Sequence, residues 1–417
     1  MNPKKFESLG IAEIHSWIYT RDIYRPDRDR NEPEAEACMR AHLEAGLKQV
    51  AFSVGRSTVK YQTSDPQITQ FMELADFSSV RPEEIEIYNE LKKNCIFTTA
   101  VNYAHKNDMT IYAFLCMNRH YNKDTYGGAH TSRLARREEL QEINKDGSRD
   151  TSRLCYAIDD VRKERLAIIK ETALIGADGI FLDFVRQPPM LRYHPALTEP
   201  YKEMTGKDPK EINVETEPDS FLDWCRYRAD VLTDFMRSVK KLLLELELQT
   251  GRRIPLLARI TDDGLTANMI AGIDIETWCR ERIIDTLITH PLQWIHGFWI
   301  HDVSPYVDIG RRTGVKVFGG VNTYPVHKGF QFNPVCIAQR IKEQYDAGVA
   351  GISLYETNDT VLHSDLDTIL KSIYCYDDIV SLLADKKWRD RWPVNGLNAN
   401  CGMDNHSGSP SEILLGL

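Results

Sequence analysis

One acidic side chain lies in a segment whose composition is otherwise that of a buried strand. The segment GADGIFLDFVRQPP contains the apolar run Gly179 to Val185, and Asp183 falls in its second half. Because burying an unpaired charge is costly, such a carboxylate is either paired with a cation or kept for chemistry. Arg186 follows at once and could be a purely structural partner. Asp183 also shares one strand face with Phe181, which could turn it toward a common site.

Polar and aromatic side chains lie in or directly after other apolar runs of the chain. Carboxylates can serve as acid and nucleophile, amides bind hydroxyl groups and rings cover the apolar face of a sugar, so this combination predicts a carbohydrate site. The candidate catalytic residues are Asp183, Glu356, Asp262 and Asp263. The candidate substrate-binding residues are His15, Trp17, Asn118, His120, Tyr121, Arg186, Arg259, His290, Asn322, Tyr324 and Tyr355. The pair Asp262-Asp263 precedes Gly264 and is equally typical of a plain turn.

Eight short apolar runs alternate with amphipathic segments, which predicts eight strand and helix pairs. Near-continuous hydrophobicity in the runs favours a parallel sheet covered by helices, and eight such units favour a closed (β/α)8 TIM barrel. The predicted strands are Ala12 to Trp17, Gln49 to Val54, Thr110 to Cys116, Gly179 to Val185, Pro255 to Thr261, Asp285 to His290, Val315 to Val321 and Gly351 to Tyr355. Glycines 46, 176 and 348 are predicted to cap the helices that precede three of these strands.

The chain is longer than a plain barrel of about 250 residues requires. We expect the surplus in elaborated loops after strand 3 (Asn118 to Ile158) and after strand 4 (Arg186 to Phe221), and in a C-terminal tail. The predicted organisation is a catalytic barrel over residues 1–375 and an extension over residues 376–417 that packs on the barrel or trails from it. Both long loops follow strand C-termini, where barrel active sites are built.

The two carboxylates of a glycosidase site need different protonation states. We expect Asp183 to be ionised beside Arg186 or Arg259, which suits a nucleophile or an electrostatic stabiliser. Glu356 is the predicted proton donor, with Asp262 or Asp263 as the alternatives. Together these roles favour retention of the anomeric configuration, although a wider carboxyl separation would predict inversion.

Composition limits the partners of the protein. The formal net charge is -9 and the isoelectric point is about 5.8, which argues against a nucleic-acid or anionic-membrane surface. No phosphate-binding loop or dinucleotide fingerprint is present, and we expect no cofactor and no metal. The N-terminus has no signal-peptide pattern, and nine scattered cysteines without a CxxC pair fit a reducing compartment. We therefore expect a cytoplasmic protein, although a mature secreted form would have the same sequence features.

Five segments resemble the glycoside-hydrolase-like TIM-barrel proteins known as family-10-type glycosylhydrolases of unknown specificity. The resemblance runs from about Ala12 to Asn358, and its most specific part is Asp178 to Arg186. The other parts are Glu13 to Trp17, Ala100 to His105, Gly272 to Trp278 and Val315 to Asn322. The resemblance implies a barrel that cleaves glycosides or polysaccharides, with Asp183 as a catalytic carboxylate and Arg186 beside it. Such proteins often end strand 8 in an asparagine and an aromatic residue, whereas this chain has Tyr355-Glu356-Thr357.

Two other functions fit the same residues. A non-catalytic carbohydrate-binding barrel would need the sugar-binding groups without the second carboxylate. A metal-dependent lyase or hydrolase would use Asp183 with His15 or His290. The sequence leaves the oligomeric state open.

Overall fold

The computed structural model describes residues 5–27, 29–117, 120, 125–185, 189–290, 302–322, 334–362 and 367–391. Within them, eight parallel strands close into a barrel and follow one another round it in chain order. The predicted (β/α)8 fold is confirmed. The barrel strands are β1 (Glu7–Ala12), β2 (Gln49–Gly55), β3 (Thr110–Cys116), β6 (Gly179–Asp183), β7 (Leu256–Thr261), β8 (Thr286–His290), β9 (Lys316–Asn322) and β10 (Gly351–Tyr355), while β4 (Gln141–Ile143) and β5 (Arg149–Leu154) form an antiparallel pair.

Fifteen helices are formed by the described residues, and most of them pack around the barrel. The predicted glycine caps have the positive φ that ends a helix: 89° at Gly46, 123° at Gly176 and 100° at Gly348. The helices are α1 (Ile14–Tyr24), α2 (Glu34–Glu44), α3 (Pro82–Asn94), α4 (Ile96–Lys106), α5 (Asp159–Ile175), α6 (Pro195–Thr205), α7 (Pro218–Thr250), α8 (Leu265–Ile270), α9 (Ile275–Arg280), α10 (Ser304–Thr313), α11 (Pro334–Ala347), α12 (Thr357–Thr360), α13 (Asp367–Ser372), α14 (Tyr376–Ala384) and α15 (Lys386–Arg389).

The position of the first strand was predicted wrongly. The strand is β1 and ends at Ala12, and the predicted run Ala12 to Trp17 enters helix α1 instead. Ile14, Trp17 and Ile18 are buried at helical spacing. A six-residue apolar run fits either period, and here packing of the helix face decided between them. His15 and Trp17 are therefore helical residues and do not line a strand.

The barrel interior is a separate small core inside the strands. Alternate residues of the strands point inward and the intervening ones pack against the helices. The inward cluster is formed by Leu9, Ile11, Ala51, Phe114, Phe181, Leu257, Ile288, Phe318 and Tyr355. Ile180 and Leu182 belong to the outer core instead. Asp183 has the parity of Phe181, and the predicted inward face of this carboxylate is confirmed.

The long segments after β3 and β6 contact each other at the C-terminal end of the barrel. The first contains the hairpin β4–β5, and the second contains helix α6. The backbone N–H of His120 donates to the carbonyl of Ser152 at 2.6 Å, and that of Tyr193 donates to the carbonyl of Ile143 at 2.8 Å. The hairpin is thereby fixed both to the end of β3 and to the segment after β6.

The C-terminal part of the described chain returns to the barrel helices. The hydroxyl of Tyr376, at the start of α14, donates to Asp346 on α11 at 2.7 Å. None of the helices in the described ranges has the length and apolarity needed to cross a bilayer. The eight cysteines in these ranges are free thiols.

Candidate active site

Asp183 and Arg259 form a buried pair at the C-terminal end of the barrel. They are register partners on the adjacent strands β6 and β7, and each is 2% exposed. Nη1 of Arg259 lies 3.6 Å from Oδ1 of Asp183, which is an ion-pair contact longer than a hydrogen bond. Oδ1 of Asp183 accepts the backbone N–H of Val185 at 3.2 Å. Among the described residues, none accepts a hydrogen bond from Nε or Nη1 of Arg259.

Two rings from other strands orient this pair. The guanidinium carbon of Arg259 lies 4.0 Å from the ring centroid of Tyr355, the last residue of β10. His290, the last residue of β8, meets the same ring edge-on at 5.2 Å. A cation held over an aromatic face keeps a fixed plane. Four predicted residues, Asp183, Arg259, His290 and Tyr355, are therefore brought together.

Asp262 is occupied by a different cation. Its carboxylate forms a buried ion pair with Arg340 of α11, and Nε of Arg340 donates to the carbonyl of Gly320 at 3.3 Å. The backbone N–H of Asp262 donates to the carbonyl of His290 at 3.1 Å. This carboxylate is engaged with a buried arginine and is therefore less available to a substrate. Asp263 follows in a half-buried position.

Glu356 has a strained backbone directly after Tyr355. Its φ is 53°, in the left-handed region that non-glycine residues rarely adopt, and it is 7% exposed. The next residue, Thr357, anchors the segment by donating to the carbonyl of Ile11 at 2.9 Å and contacting Nε2 of His42 at 2.7 Å. Left-handed non-glycine residues cluster at functional sites, where surrounding contacts hold them in place. The backbone of Glu356 is therefore held in place directly beyond Tyr355.

Sequence reasoning missed a second charged group at the ends of β1 and β2. Glu13 directly follows β1, and its Oε1 lies 3.2 Å from Nζ of the buried Lys60. Its Oε2 lies 3.9 Å from Nη2 of Arg56. Burial alone would raise the pKa of Glu13, but the charges of Lys60 and Arg56 hold it well below its usual range. The signal in the sequence is the pair of basic residues Arg56 and Lys60, which follow strand 2.

His15 belongs to a neighbouring cluster. Its Nε2 lies 3.0 Å from Oε1 of Glu84 on α3, and Nε2 of His130 lies 3.0 Å from Oε2 of the same carboxylate. Arg81 donates to Oε1 as well, at 2.8 Å. These four side chains form the histidine–carboxylate cluster. The contacts hold the pKa of Glu84 well below its usual range, although burial opposes this.

Two predicted binding residues are packed inside the protein. Trp17 is 2% exposed, and its indole N–H donates to Glu34 at 2.9 Å. His120 is 1% exposed and contacts Arg165; burial and that charge hold its pKa well below the usual value. Four predicted residues lie outside the described residues, namely Asn118, Tyr121, Arg186 and Tyr324. For Asn322, only the backbone at the end of β9 is described.

No protein-family model and no curated protein matches the chain. Solved structures match its fold. The glycoside hydrolase domain of PgaB (BpsB) from Bordetella bronchiseptica aligns with a TM-score of 0.57 at 11% identity, covering 89% of this chain and 99% of that one. The catalytic domain of β-amylase from Paenibacillus polymyxa aligns with a TM-score of 0.53 at 12% identity, covering 94% and 100%.

A third structure extends this range. The α-L-fucosidase isoenzyme 2 from Paenibacillus thiaminolyticus aligns with a TM-score of 0.51 at 10% identity, covering 92% of this chain and 50% of that one. At such low identity the likeness concerns the fold, because one barrel fold hosts many functions. The chain thus shares the TIM-barrel fold of these three structures.

Proposed function

We propose that the protein is a glycoside hydrolase that cleaves a polysaccharide or oligosaccharide with two carboxylates. The observation that carries the proposal is the pair Asp183–Arg259 beneath Tyr355, buried at the end of the barrel where active sites of this fold are built. The barrel fold shared with glycoside hydrolases adds to it. The family-10-type assignment is part of this proposal and rests on the sequence segments alone.

In this mechanism Asp183 is the ionised carboxylate that faces the anomeric carbon. Arg259 holds Asp183 in place, and its Nε–H and Nη1–H groups, which have no acceptor among the described residues, can donate to sugar hydroxyls. Glu356 protonates the leaving oxygen and then activates water. We propose retention of configuration through a glycosyl-enzyme intermediate on Asp183, to be checked by NMR of the first sugar anomer released.

The test is to replace Asp183 by Asn and assay a panel of polysaccharides for released reducing ends. We expect turnover to fall about 10²- to 10⁴-fold with the fold intact, as judged by circular dichroism. Asp308→Asn is the matched control, because this acid lies exposed on α10 and pairs with nearby Arg311 at 2.7 Å. Wild-type turnover by the Asp183 variant would remove the catalytic claim.

The two alternatives predict different results. A carbohydrate-binding barrel would bind a glycan of the panel without releasing reducing ends, and Asp183→Asn would alter only its affinity. A metal enzyme using Asp183 with His15 or His290 has less support, because the one possible metal-binding trio among the described residues, His15, Glu84 and His130, lacks Asp183.

A further inference from the structure

The histidine–carboxylate cluster has the composition of a metal site. One ligand atom each from His15, Glu84 and His130 lies within 4.8 Å of the other two. These residues come from three separate segments: the start of α1, the start of α3 and the turn after the 3₁₀ helix Thr125–Gly128. Two imidazoles and one carboxylate are ligands that zinc and similar divalent metals accept.

The distances fit a coordinated ion. Ligand atoms held about 2.1 Å from a metal at octahedral or tetrahedral angles lie roughly 3.0–3.4 Å from each other. Nε2 of His15 is 3.0 Å from Oε1 of Glu84, and Nε2 of His130 is 3.0 Å from Oε2, so each histidine contacts a different oxygen. An ion between them would replace both hydrogen bonds, and the three ligand atoms, which lie within 4.8 Å of one another, would move closer together around it.

The surroundings hold the ligands and leave an approach. Rings pack on both histidines: Tyr19 lies 4.8 Å from His15 edge-on, and Phe71 lies 5.0 Å from His130. Such packing limits the rotamers of the ligands and keeps them converged. The side chain of His15 is 19% exposed, so the cluster can be reached from solvent.

Arg81 is the main obstacle to a cation, because it donates to Glu84 at 2.8 Å. However, 43% of its side chain is exposed, and its guanidinium lies 4.1 Å over the ring of Tyr126. It can therefore withdraw from Glu84 and keep a partner. Arg81 should compete with a metal ion for Glu84. Removing Arg81 should therefore strengthen metal binding if the cluster is a metal site, whereas no such gain is expected from a hydrogen-bond network.

We propose that His15, Glu84 and His130 bind one divalent transition metal ion of the zinc type, with water completing the coordination. The ion would join α1 to the segments that follow β2 and β3. This site is independent of the proposed glycosidase activity, and no catalytic step depends on it.

The experiment titrates zinc into tag-free, chelator-treated full-length protein against a chromophoric zinc indicator. We expect one high-affinity zinc per chain, and cobalt substituted into the site should give visible absorption bands of a nitrogen- and oxygen-ligated ion. His15→Gln and His130→Gln should each weaken zinc binding about 100-fold or more. His105→Gln is the matched control, because this half-exposed histidine on α4 pairs with Asp178 elsewhere.

Arg81→Gln supplies the decisive second variant. If Arg81 competes with the ion, this variant should bind zinc about 10-fold more tightly, because a repelling charge has been removed. The proposal is overturned if the wild-type protein binds no stoichiometric zinc. It is also overturned if the His15, His130 and His105 variants bind zinc equally. Since His15 is partly exposed, its variant should stay folded even if that of His130 does not.

Discussion

The two sides of the barrel mouth use buried charge differently. On the β6–β7 side, Arg259 lies 3.6 Å from Asp183, and its Nε and Nη1 have no acceptor within the described part of the chain. On the β1–β2 side, Lys60 contacts Glu13 at 3.2 Å, and Glu84 accepts from two histidines and an arginine. Buried donors are normally satisfied, so unused ones indicate where a ligand or water binds. Under the proposed function, the first side contacts the substrate and the second holds the loops.

The largest effect that would break this comparison concerns Arg259. Arg259→Lys keeps the charge but loses the planar fork that lies over Tyr355. We expect activity to fall about 10²- to 10³-fold, as for removal of one oriented donor. Unfolding free energy should change by no more than about 1 kcal/mol. Steady-state kinetics measures the activity and urea denaturation measures the unfolding free energy. A large loss of stability with normal activity would mean that Arg259 serves the fold and not the substrate.

The converse variant lies on the other side. Lys60→Met leaves Glu13 with only the longer contact to Arg56, at 3.9 Å. Glu13 is partly buried, with 19% of its side chain exposed, and leaving its charge without the close partner should lower the free energy of unfolding by about 3 kcal/mol. The double variant Lys60→Met with Glu13→Gln should recover most of that loss, because no charge is then left unpaired. Failure of the double variant to recover stability would show that packing of the lysine stem was lost instead.

A further buried carboxylate, Glu164 on α5, should make the stability of the protein depend on pH. Burial raises the pKa of Glu164 on α5 to about 7, against the charge of neighbouring Arg165. The unfolded chain loses this proton near the ordinary value of 4.5, so the free energy of unfolding should fall as pH rises from 4.5 to 7. Glu164→Gln should remove about 3 kcal/mol of that fall. Urea denaturation at several pH values checks this, with Asp160→Asn on the exposed face of α5 as the control.

The smallest expected change in unfolding free energy concerns the strained backbone of Glu356. Glu356→Gly removes the side chain from a left-handed backbone and should stabilise the fold by up to about 1 kcal/mol. It should also abolish most of the activity, as Glu356→Gln should, if this residue is the proton donor. Asp108→Gly is matched, because Asp108 has the same φ of 53° in an exposed turn. The control should gain stability without losing activity, and equal activity in both glycine variants would exclude the donor role.

The sequence predicted the barrel more completely than the site. Seven strands were placed within two residues of their observed ends because buried parallel strands are short, apolar and bounded by polar residues. The face of Asp183 followed from strand alternation with Phe181. The position of the first strand was predicted wrongly because Ala12 to Trp17 fits both the helical and the strand period, and because Gly10 interrupts the true strand.

The partners of the site residues were harder to predict than their positions. The pairing of Asp262 with Arg340 joins a strand end to a helix far along the chain, and no local sequence pattern predicts it. The same holds for Glu13 with Lys60, whose loop has no regular period. Candidates can be found from local sequence, whereas the choice among them depends on contacts that exist only after folding.

The pairing of β1 with β10, from Glu7 with Gly351 to Gly10 with Leu354, has a consequence for how the protein folds. Contacts between the two ends of a chain carry the highest loop-closure entropy, so they form late. Tyr355 is the last residue of β10, and its aromatic ring lies over Arg259. This contact therefore forms only when the barrel closes. In a nascent chain that still lacks β10, Asp183 would lie beside Arg259 without the aromatic ring of Tyr355 above them. Binding competence should therefore appear in a single late kinetic phase of refolding.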